Sequence, residues 1–176
     1  SSESAHLIES NLNRAAALMQ NFKQVAVDQS AGQERTFNLA QYLDDVIRSL
    51  SPRLRNTAFK ISCDCPDDLE MRCDPGALYQ ILSNLVLNSL NHGFDGLLVG
   101  EITISARRDH DQIHLEYQDN GNGMSREQLA RIYESFYTTR RGRGGTGLGM
   151  HIVYNNVTQT LGGKITCASK PGSGAR

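Results

Sequence analysis

The sequence predicts an α+β fold, a two-layer sandwich in which helices cover one face of a mixed, largely antiparallel sheet. Amphipathic helical patterns are interspersed with short strands and form no regular βαβ series. Two consecutive strands, at about 101–107 and 112–118, alternate apolar and polar residues and are joined by the turn RDHD. The length of 176 residues corresponds to one domain, or one domain with a small appendage.

The remaining elements follow from caps and periodicity. Asn38 is a suitable N-cap for a helix ending near Leu50, and Asp74-Pro75 is a suitable start for a helix over 75–91. Further elements are predicted as a strand at 59–65, a helix from Ser125 to about 134, a helix at about 148–161 and a strand at 164–169.

Composition excludes several classes of protein. Lys and Arg total 18 against 19 for Asp and Glu, so bulk electrostatic binding of nucleic acid is not indicated. No apolar run approaches the roughly 20 residues that span a bilayer, and no signal peptide is visible. The four cysteines lack the spacing of a zinc site and predict reduced thiols: Cys63, Cys65, Cys73 and Cys167.

The first segment predicts a long amphipathic helix. Its apolar residues step by four and three along 4–27, a heptad seam typical of a coiled-coil or bundle helix. A lone helix with such a stripe is unstable in water, so it must pack on its own domain or on a second chain, and the regular seam favours the second chain. The polar stretch 28–36 is interpreted as a linker, and the main domain is then expected over 37–176.

A glycine-rich loop, RGRGGTGLGM over 141–150, leads directly into a predicted helix. Glycines allow a ligand to approach the backbone closely, and the free N–H groups at a helix start favour phosphate. Arg140, Arg141 and Arg143 add cationic donors. The alternative is a flexible surface loop with solvated arginines.

Two common phosphate sites are excluded. A nicotinamide dinucleotide site requires a preceding strand and a later acidic residue, but no Asp or Glu follows Glu134. A P-loop requires Ser or Thr after Gly-Lys, but Gly163-Lys164 is followed by Ile165.

The motif DNGNG, over 119–123, ends a predicted strand. A calcium loop is excluded because its third and fifth positions are glycine and its twelfth is Ala130. One alternative is a plain turn. The functional hypothesis is that the glycines leave room for a planar base while Asp119 accepts a hydrogen bond from an exocyclic amine, which adenine carries and guanine lacks at that place.

Asn84 and Asn88 share one face of the helix predicted over 75–91, and Asn91 and His92 follow. Asparagine is unfavourable inside a helix, so two on one face need an explanation. One explanation is an amide satisfied by a neighbouring turn. The other is an amide oxygen that binds Mg²⁺, which takes few protein ligands and completes its shell with water and nucleotide phosphates.

Together these motifs resemble the Asn box and glycine boxes of the sensor histidine kinase ATP-binding domain, in the superfamily shared with gyrase, Hsp90 and MutL. The matching stretches are NLVLNSLNH (84–92), DNGNG (119–123), ESFYTT (134–139) and GGTGLGM (144–150). The resemblance covers about 37–176 and implies the Bergerat-type ATP-binding fold. The segment FKQVAVDQ (22–29) resembles the second helix of the dimerisation hairpin in the same kinases.

The resemblance implies a site for Mg-ATP. Asn88 would bind Mg²⁺, Asn84 would line the phosphate side, and Asp119 would bind the adenine amine. Asn91 stands where many relatives have Lys, and the nearby arginines are expected to compensate, while His92 takes the ring position after the Asn box. The remaining implied nucleotide contacts are Gly121, Gly123, Phe136, Thr138, Thr139, Arg140, Arg141, Gly144, Gly145, Thr146, Gly147, Leu148 and Gly149.

One position separates two chemistries. ATP-hydrolysing members of the superfamily carry Glu as general base where this chain has Asn84, and an amide cannot take a proton at neutral pH. The resemblance therefore implies a protein-histidine kinase that transfers the γ-phosphoryl group to a histidine. That histidine is expected on a dimerisation helix outside this sequence. A gyrase- or Hsp90-type ATPase and a non-catalytic nucleotide-binding module are the alternatives.

The same resemblance implies partners and a location. The expected partners are a phosphoacceptor helix of the same or a partner chain, a response regulator, and a second copy joined through the N-terminal helix, with no nucleic acid. The expected location is the cytoplasm, for a parent protein with or without a membrane anchor.

Overall fold

The computed structural model describes residue 12, residues 32–135, residue 137 and residues 147–176. The heptad seam over 4–27 lies outside the described residues, apart from Leu12, which is helical and exposed. Most of the glycine-rich loop also lies outside them, and with it the candidate residues Phe136, Thr138, Thr139, Arg140, Arg141, Arg143, Gly144, Gly145 and Thr146.

The described chain forms four helices and five strands. In chain order they are β1 (Arg35–Asn38), α1 (Leu39–Leu50), β2 (Ala58–Asp64), β3 (Glu70–Cys73), α2 (Pro75–Asn88), β4 (Val99–Asp109), β5 (Gln112–Asp119), α3 (Arg126–Ala130) and α4 (Gly149–Asn155). Two helices continue as π turns, α2 into Ser89–Gly93 and α4 into Asn156–Thr160.

The strands form two sheets. In the larger sheet the order is β2-β4-β5, with β2 parallel to β4 and β4 antiparallel to β5, so that Ile102 lies opposite Asp119. In the smaller sheet β1 pairs antiparallel with β3. The predicted mixed α+β architecture is confirmed, and β1 begins inside the stretch interpreted as a linker.

The core lies between the larger sheet and helices α1 and α2. The predicted caps explain where both helices begin: Asn38 accepts the N–H of Gln41 at 2.9 Å, and Asp74 accepts the N–H of Gly76 at 2.9 Å. The buried apolar face of each helix then meets the inner face of β4, and the principal core residues are Leu39, Leu43, Val46, Leu50, Leu78, Leu82, Val86, Phe94, Ile102 and Ile104. This packing fixes α2, which carries the Asn pair, over the sheet.

Two predicted elements differ from the structure. The helix after Ser125 ends at Ala130, since turns occupy 131–135. Residues 164–169 do not form a strand; pairing there is limited to a Ser169–Ala175 bridge and to the backbone bonds that Ala168 and Arg176 exchange at 2.7 and 2.8 Å. After the turn at 170–174, Arg176 pairs with Ala168, while Ala175 bridges both Ser169 and Asp119.

Among the helices that the structure describes, none is both long and apolar enough to cross a membrane.

Candidate functional site

The amides of Asn84 and Asn88 converge on the beginning of α4. The Nδ2 group of Asn84 donates to the carbonyl oxygen of Gln80 at 2.8 Å, one turn earlier in α2. Its Oδ1 then faces Gly149, where an added β-carbon would lie 3.2 Å from Asn84 Oδ1 and 3.4 Å from Asn88 Oδ1. The preceding turn of α2 therefore satisfies the amide nitrogen of Asn84, which agrees with the alternative of an amide bonded to a neighbouring turn. The amide oxygens of Asn84 and Asn88 both lie beside the first residue of α4.

A hydrogen bond between side chains ties α4 to α2. The Nδ2 of Asn156 donates to the Oε1 of Gln80 at 2.7 Å, and Gln80 is itself buried. The same Gln80 therefore orients Asn84 through its backbone and α4 through its side chain. This arrangement holds Gly149 close to both asparagines.

Asp119 ends β5 as a buried acceptor. The residue is 6% exposed, and its carboxylate accepts hydrogen bonds from three groups. Oδ1 accepts the N–H of Gly121 at 3.0 Å and that of Ala175 at 3.3 Å, and Oδ2 accepts the hydroxyl of Ser89 at 2.6 Å. Two backbone N–H groups and one hydroxyl group thus hold both oxygens of this side chain as hydrogen-bond acceptors.

Two hydroxyl groups lie behind Asp119. Ser89, in the π turn after α2, is 2% exposed, and its Oγ lies 2.7 Å from the Oη of Tyr117. Tyr117 Oη also donates to the carbonyl oxygen of Leu85 at 3.1 Å. Burial is the main reason that the pKa of Tyr117 lies well above its usual range, so this phenol stays protonated. The sequence did not predict Ser89 or Tyr117 as part of the site.

Glycines allow the DNGNG segment to pack on the π turn. A β-carbon on Gly121 would collide with the carbonyl oxygen of Gly93, which accepts the N–H of Asn122 at 2.7 Å. A β-carbon on Gly93 would lie 3.3 Å from Asp119 Oδ2. Gly123 has a φ of +68° and packs against the carbonyl oxygen of Lys170. Close packing against neighbouring backbone therefore explains Gly121 and Gly123, and room for a planar base beside Asp119 stays a prediction.

Tyr133 lies beside α4. His151 Nδ1 lies 3.2 Å from the carbonyl oxygen of Tyr133, and Asn155 Nδ2 lies 3.2 Å from His151 Nε2. The Tyr133 and Tyr154 rings pack at 5.1 Å between centroids. Burial, the largest cause, raises the pKa of Tyr133 to about 12. The described end of the loop, at Gly147, has a φ of +70°.

Two further candidate residues, His92 and Asn91, lie at the end of α2. His92 is half-buried inside the π turn between Ser89 and Gly93. Asn91 is exposed and lines a separate cavity of about 370 Å³, whose other lining residues are Arg53, Thr57, Phe59, Leu87 and Leu90. The structure thus forms two groups of candidate residues, Asn84, Asn88 and Gly149 in one and Asp119, Gly121 and Gly93 in the other, and Asn91 belongs to neither.

Comparison with known proteins identifies this arrangement. A family model described as "Histidine kinase-, DNA gyrase B-, and HSP90-like ATPase" matches residues 73–176. Alginate biosynthesis sensor protein KinB of Pseudomonas aeruginosa is 31% identical over 140 residues, which are 79% of this chain and 23% of KinB. The match therefore covers less than a quarter of the length of KinB.

Solved structures share the fold. The catalytic domain of histidine kinase ThkA superposes with a TM-score of 0.71 at 23% identity, covering 81% of this chain and 91% of that domain. Full-length ShkA in complex with AMPPNP superposes with a TM-score of 0.68 at 25% identity, covering 81% of this chain and 29% of ShkA. ThkA in complex with response regulator protein TrrA superposes with a TM-score of 0.68 at 20% identity, covering 92% of this chain and 47% of that chain.

The chain belongs to the family of histidine kinase-, DNA gyrase B- and HSP90-like ATPases. It is an ATP-binding domain with the fold of a histidine kinase catalytic domain. The family and fold predicted from the sequence are confirmed, and the similarity to sensor kinases favours that class over the gyrase-type and non-catalytic alternatives.

Proposed function

We propose that this chain is the catalytic part of a two-component sensor histidine kinase. It binds Mg-ATP between α2, the π turn at Ser89–Gly93 and the start of α4. It then transfers the γ-phosphoryl group to a histidine on a dimerisation helix. The observation that carries this proposal is the convergence of two amide oxygens, Asn84 Oδ1 and Asn88 Oδ1, on Gly149, at a position where ATP hydrolysis would need a carboxylate base.

The donor set suits a magnesium nucleotide. Mg²⁺ prefers oxygen ligands, takes one or two from the protein and receives the rest from phosphates and water. Asn88 Oδ1 supplies such an oxygen, and Gly149 leaves space beside it because it has no side chain. Bound Mg²⁺ would neutralise the charge that develops on the transferring phosphoryl group. Asp119, at the other end, suits the exocyclic amine of adenine.

The reaction follows from what is present around Asn84. A neutral imidazole nitrogen of the acceptor histidine attacks the γ-phosphorus, the bond from that phosphorus to the bridging oxygen breaks, and ADP leaves with the oxygen. No residue needs to remove a proton before the attack, because the imidazole nitrogen carries a lone pair. Asn84 can orient a phosphate or a water molecule but cannot activate the water, so transfer is favoured over hydrolysis.

The partners follow from the proposed class. A kinase of this kind would act on a phosphoacceptor helix, pass the phosphoryl group to a response regulator and dimerise through the segment 1–27. Support comes from the sensor proteins among its relatives and from the complex of ThkA with TrrA. We also propose that the chain is cytoplasmic. We further propose that Arg140, Arg141 and the other loop residues named above form a lid over the nucleotide phosphates.

The test measures the fate of the γ-phosphate of labelled ATP. The chain is incubated alone and then with a dimeric helical protein that carries the acceptor histidine. We expect little phosphate release by the chain alone, and acid-labile, base-stable label on the acceptor protein. Rapid steady hydrolysis without the acceptor would instead support a gyrase- or Hsp90-type ATPase. Nucleotide binding without transfer would support a regulatory module.

A further inference from the structure

We propose that Ser89 and Tyr117 are positioning residues that set the base selectivity of the site by fixing the Asp119 carboxylate through a relay of hydroxyl groups. The inference rests on the proposed function, in which Asp119 binds the adenine amine. It adds two side chains, one from the π turn and one from β5, that lie behind the carboxylate.

The proton positions in the relay follow from counting donors. Ser89 has one hydroxyl proton, and it donates this proton from Oγ to Asp119 Oδ2 at 2.6 Å. Ser89 Oγ must then accept in its 2.7 Å contact with Tyr117 Oη. The single proton of Tyr117 is shared between Ser89 Oγ and the Leu85 carbonyl oxygen at 3.1 Å. The chain thus runs from Tyr117 to Ser89 to Asp119.

The backbone explains why the relay forms at this place. α2 changes from α to π geometry at Ser89, a feature often found at functional sites. Tyr117 precedes Asp119 by two residues on β5, so both side chains point to the same face of the strand. Tyr117 Oη donates to the Leu85 carbonyl oxygen, which ties β5 to the last turn of α2, and its contact with Ser89 Oγ ties β5 to the π turn.

The relay completes the immobilisation of the carboxylate. Two backbone N–H groups hold Oδ1, and among the described residues only Ser89 provides a donor to Oδ2. Both oxygens are therefore fixed in one plane as acceptors. An amine at position 6 of a purine can donate to this plane, whereas the carbonyl oxygen of guanine meets a second acceptor. Hydrogen bonds in a low-dielectric chain strengthen one another, so the Tyr117 hydroxyl reinforces the bond from Ser89.

The experiment compares affinities for three nucleotides: ATP, GTP and purine riboside triphosphate, which lacks the 6-amino group. Ser89→Ala is expected to lower the affinity for ATP about tenfold, because a hydrogen bond to a charged group is lost. Tyr117→Phe is expected to lower the affinity for ATP about threefold, because a neutral hydrogen bond is lost. Neither substitution is expected to change the affinity for purine riboside triphosphate, so the preference for ATP narrows in both.

Matched controls separate positioning from general damage. Ser83→Ala removes a serine hydroxyl from the same helix, where it donates to the Gln80 carbonyl oxygen at 3.2 Å. Tyr42→Phe removes a phenol that donates to the Pro75 carbonyl oxygen at the other end of α2. Both controls are expected to keep the wild-type ratio of ATP to purine riboside triphosphate affinity.

The outcomes are distinct. An equal loss for all three nucleotides, or an unchanged ATP preference in both Ser89→Ala and Tyr117→Phe, would overturn the relay. If Ser89→Ala does not fold, Tyr117→Phe alone decides the question. A wild-type chain that binds ATP and purine riboside triphosphate equally would overturn the assignment of Asp119 itself, and the relay with it. A wild-type preference that both variants reduce supports both.

Discussion

Gly149 packs its α-carbon against the side-chain amide of Asn84, so closely that a β-carbon at residue 149 would lie 3.2 Å from Asn84 Oδ1. The contact joins the first residue of α4 to the middle of α2. A side chain at residue 149 would crowd the two amide oxygens, which the proposed function places beside the nucleotide phosphates.

The first prediction concerns Gly149→Ala. Gly149 does not have a positive φ, so alanine suits its backbone, and a β-carbon at 3.2 and 3.4 Å from the two amide oxygens requires only a small shift; we therefore expect a melting temperature close to that of the wild type. The methyl group occupies the space beside the amide oxygens, so Mg-ATP affinity is expected to fall at least about tenfold. Calorimetric titration together with thermal unfolding checks both halves. Retained affinity would show that phosphates do not approach Gly149.

The second prediction concerns the magnesium ligand. Asn88→Ala removes an amide oxygen that faces Gly149, and we expect Mg-ATP affinity to fall about tenfold or more. ATP binding measured with excess chelator is expected to be the same in variant and wild type, because the lost interaction is with the metal. Titrations with and without Mg²⁺ provide the comparison. An equal loss in both conditions would mean that Asn88 contacts the nucleotide directly.

The third prediction concerns the close approach of two glycines. In Gly121→Ala the new methyl group would collide with the Gly93 carbonyl oxygen, which belongs to the π turn. We expect the free energy of unfolding to fall by about 2 kcal/mol, as for other overpacked sites. Gly163→Ala is the matched control, since its β-carbon would meet the Val157 carbonyl oxygen at an ordinary 3.5 Å. Urea unfolding of both variants tests this, and equal stability would contradict it.

The fourth prediction concerns alkaline pH. Burial, in each case the largest cause, raises the pKa of Cys63 to about 11 and that of Cys73 to about 11. The unfolded chain therefore loses thiol protons first as the pH rises. The free energy of unfolding is expected to fall from about pH 9 upwards, until the folded thiols also ionise near pH 11.

Urea unfolding at about pH 8 and about pH 10 measures this decline. Raised pKa values at Tyr133 and Tyr117 add to it at still higher pH. Replacing Cys63 and Cys73 by alanine in one variant is expected to flatten the dependence between these two values. The same slope in wild type and variant would show that the thiols do not contribute.

Local sequence patterns predicted one part of the site and could not predict another. The i, i+4 spacing of Asn84 and Asn88 placed both amides on one helical face, and the alternating pattern before Asp119 placed this residue at the end of a strand. Ala175 lies 56 residues from Asp119, and no periodicity links the two. The hydroxyl contact between Ser89 and Tyr117 likewise depends on where α2 turns into π geometry, which the sequence did not indicate.

Short elements were the main difficulty in predicting the fold. β1 and β3 have four residues each, too few for a clear alternating pattern, and their pairing puts Arg35 opposite Cys73, which no local pattern links. Residues 164–169 alternate like a strand but find partners only at Ala168 and Ser169. Helices with several turns, such as α1 and α2, were predicted because their apolar stripes and caps agree.

The most direct test of the account is a crystal structure of this chain with Mg²⁺ and a non-hydrolysable ATP analogue. We expect the 6-amino group of adenine about 3 Å from the Asp119 carboxylate, and Mg²⁺ about 2.1 Å from Asn88 Oδ1. A nucleotide bound away from α2 and Gly149, or a metal ion without Asn88 in its shell, would contradict the proposed site.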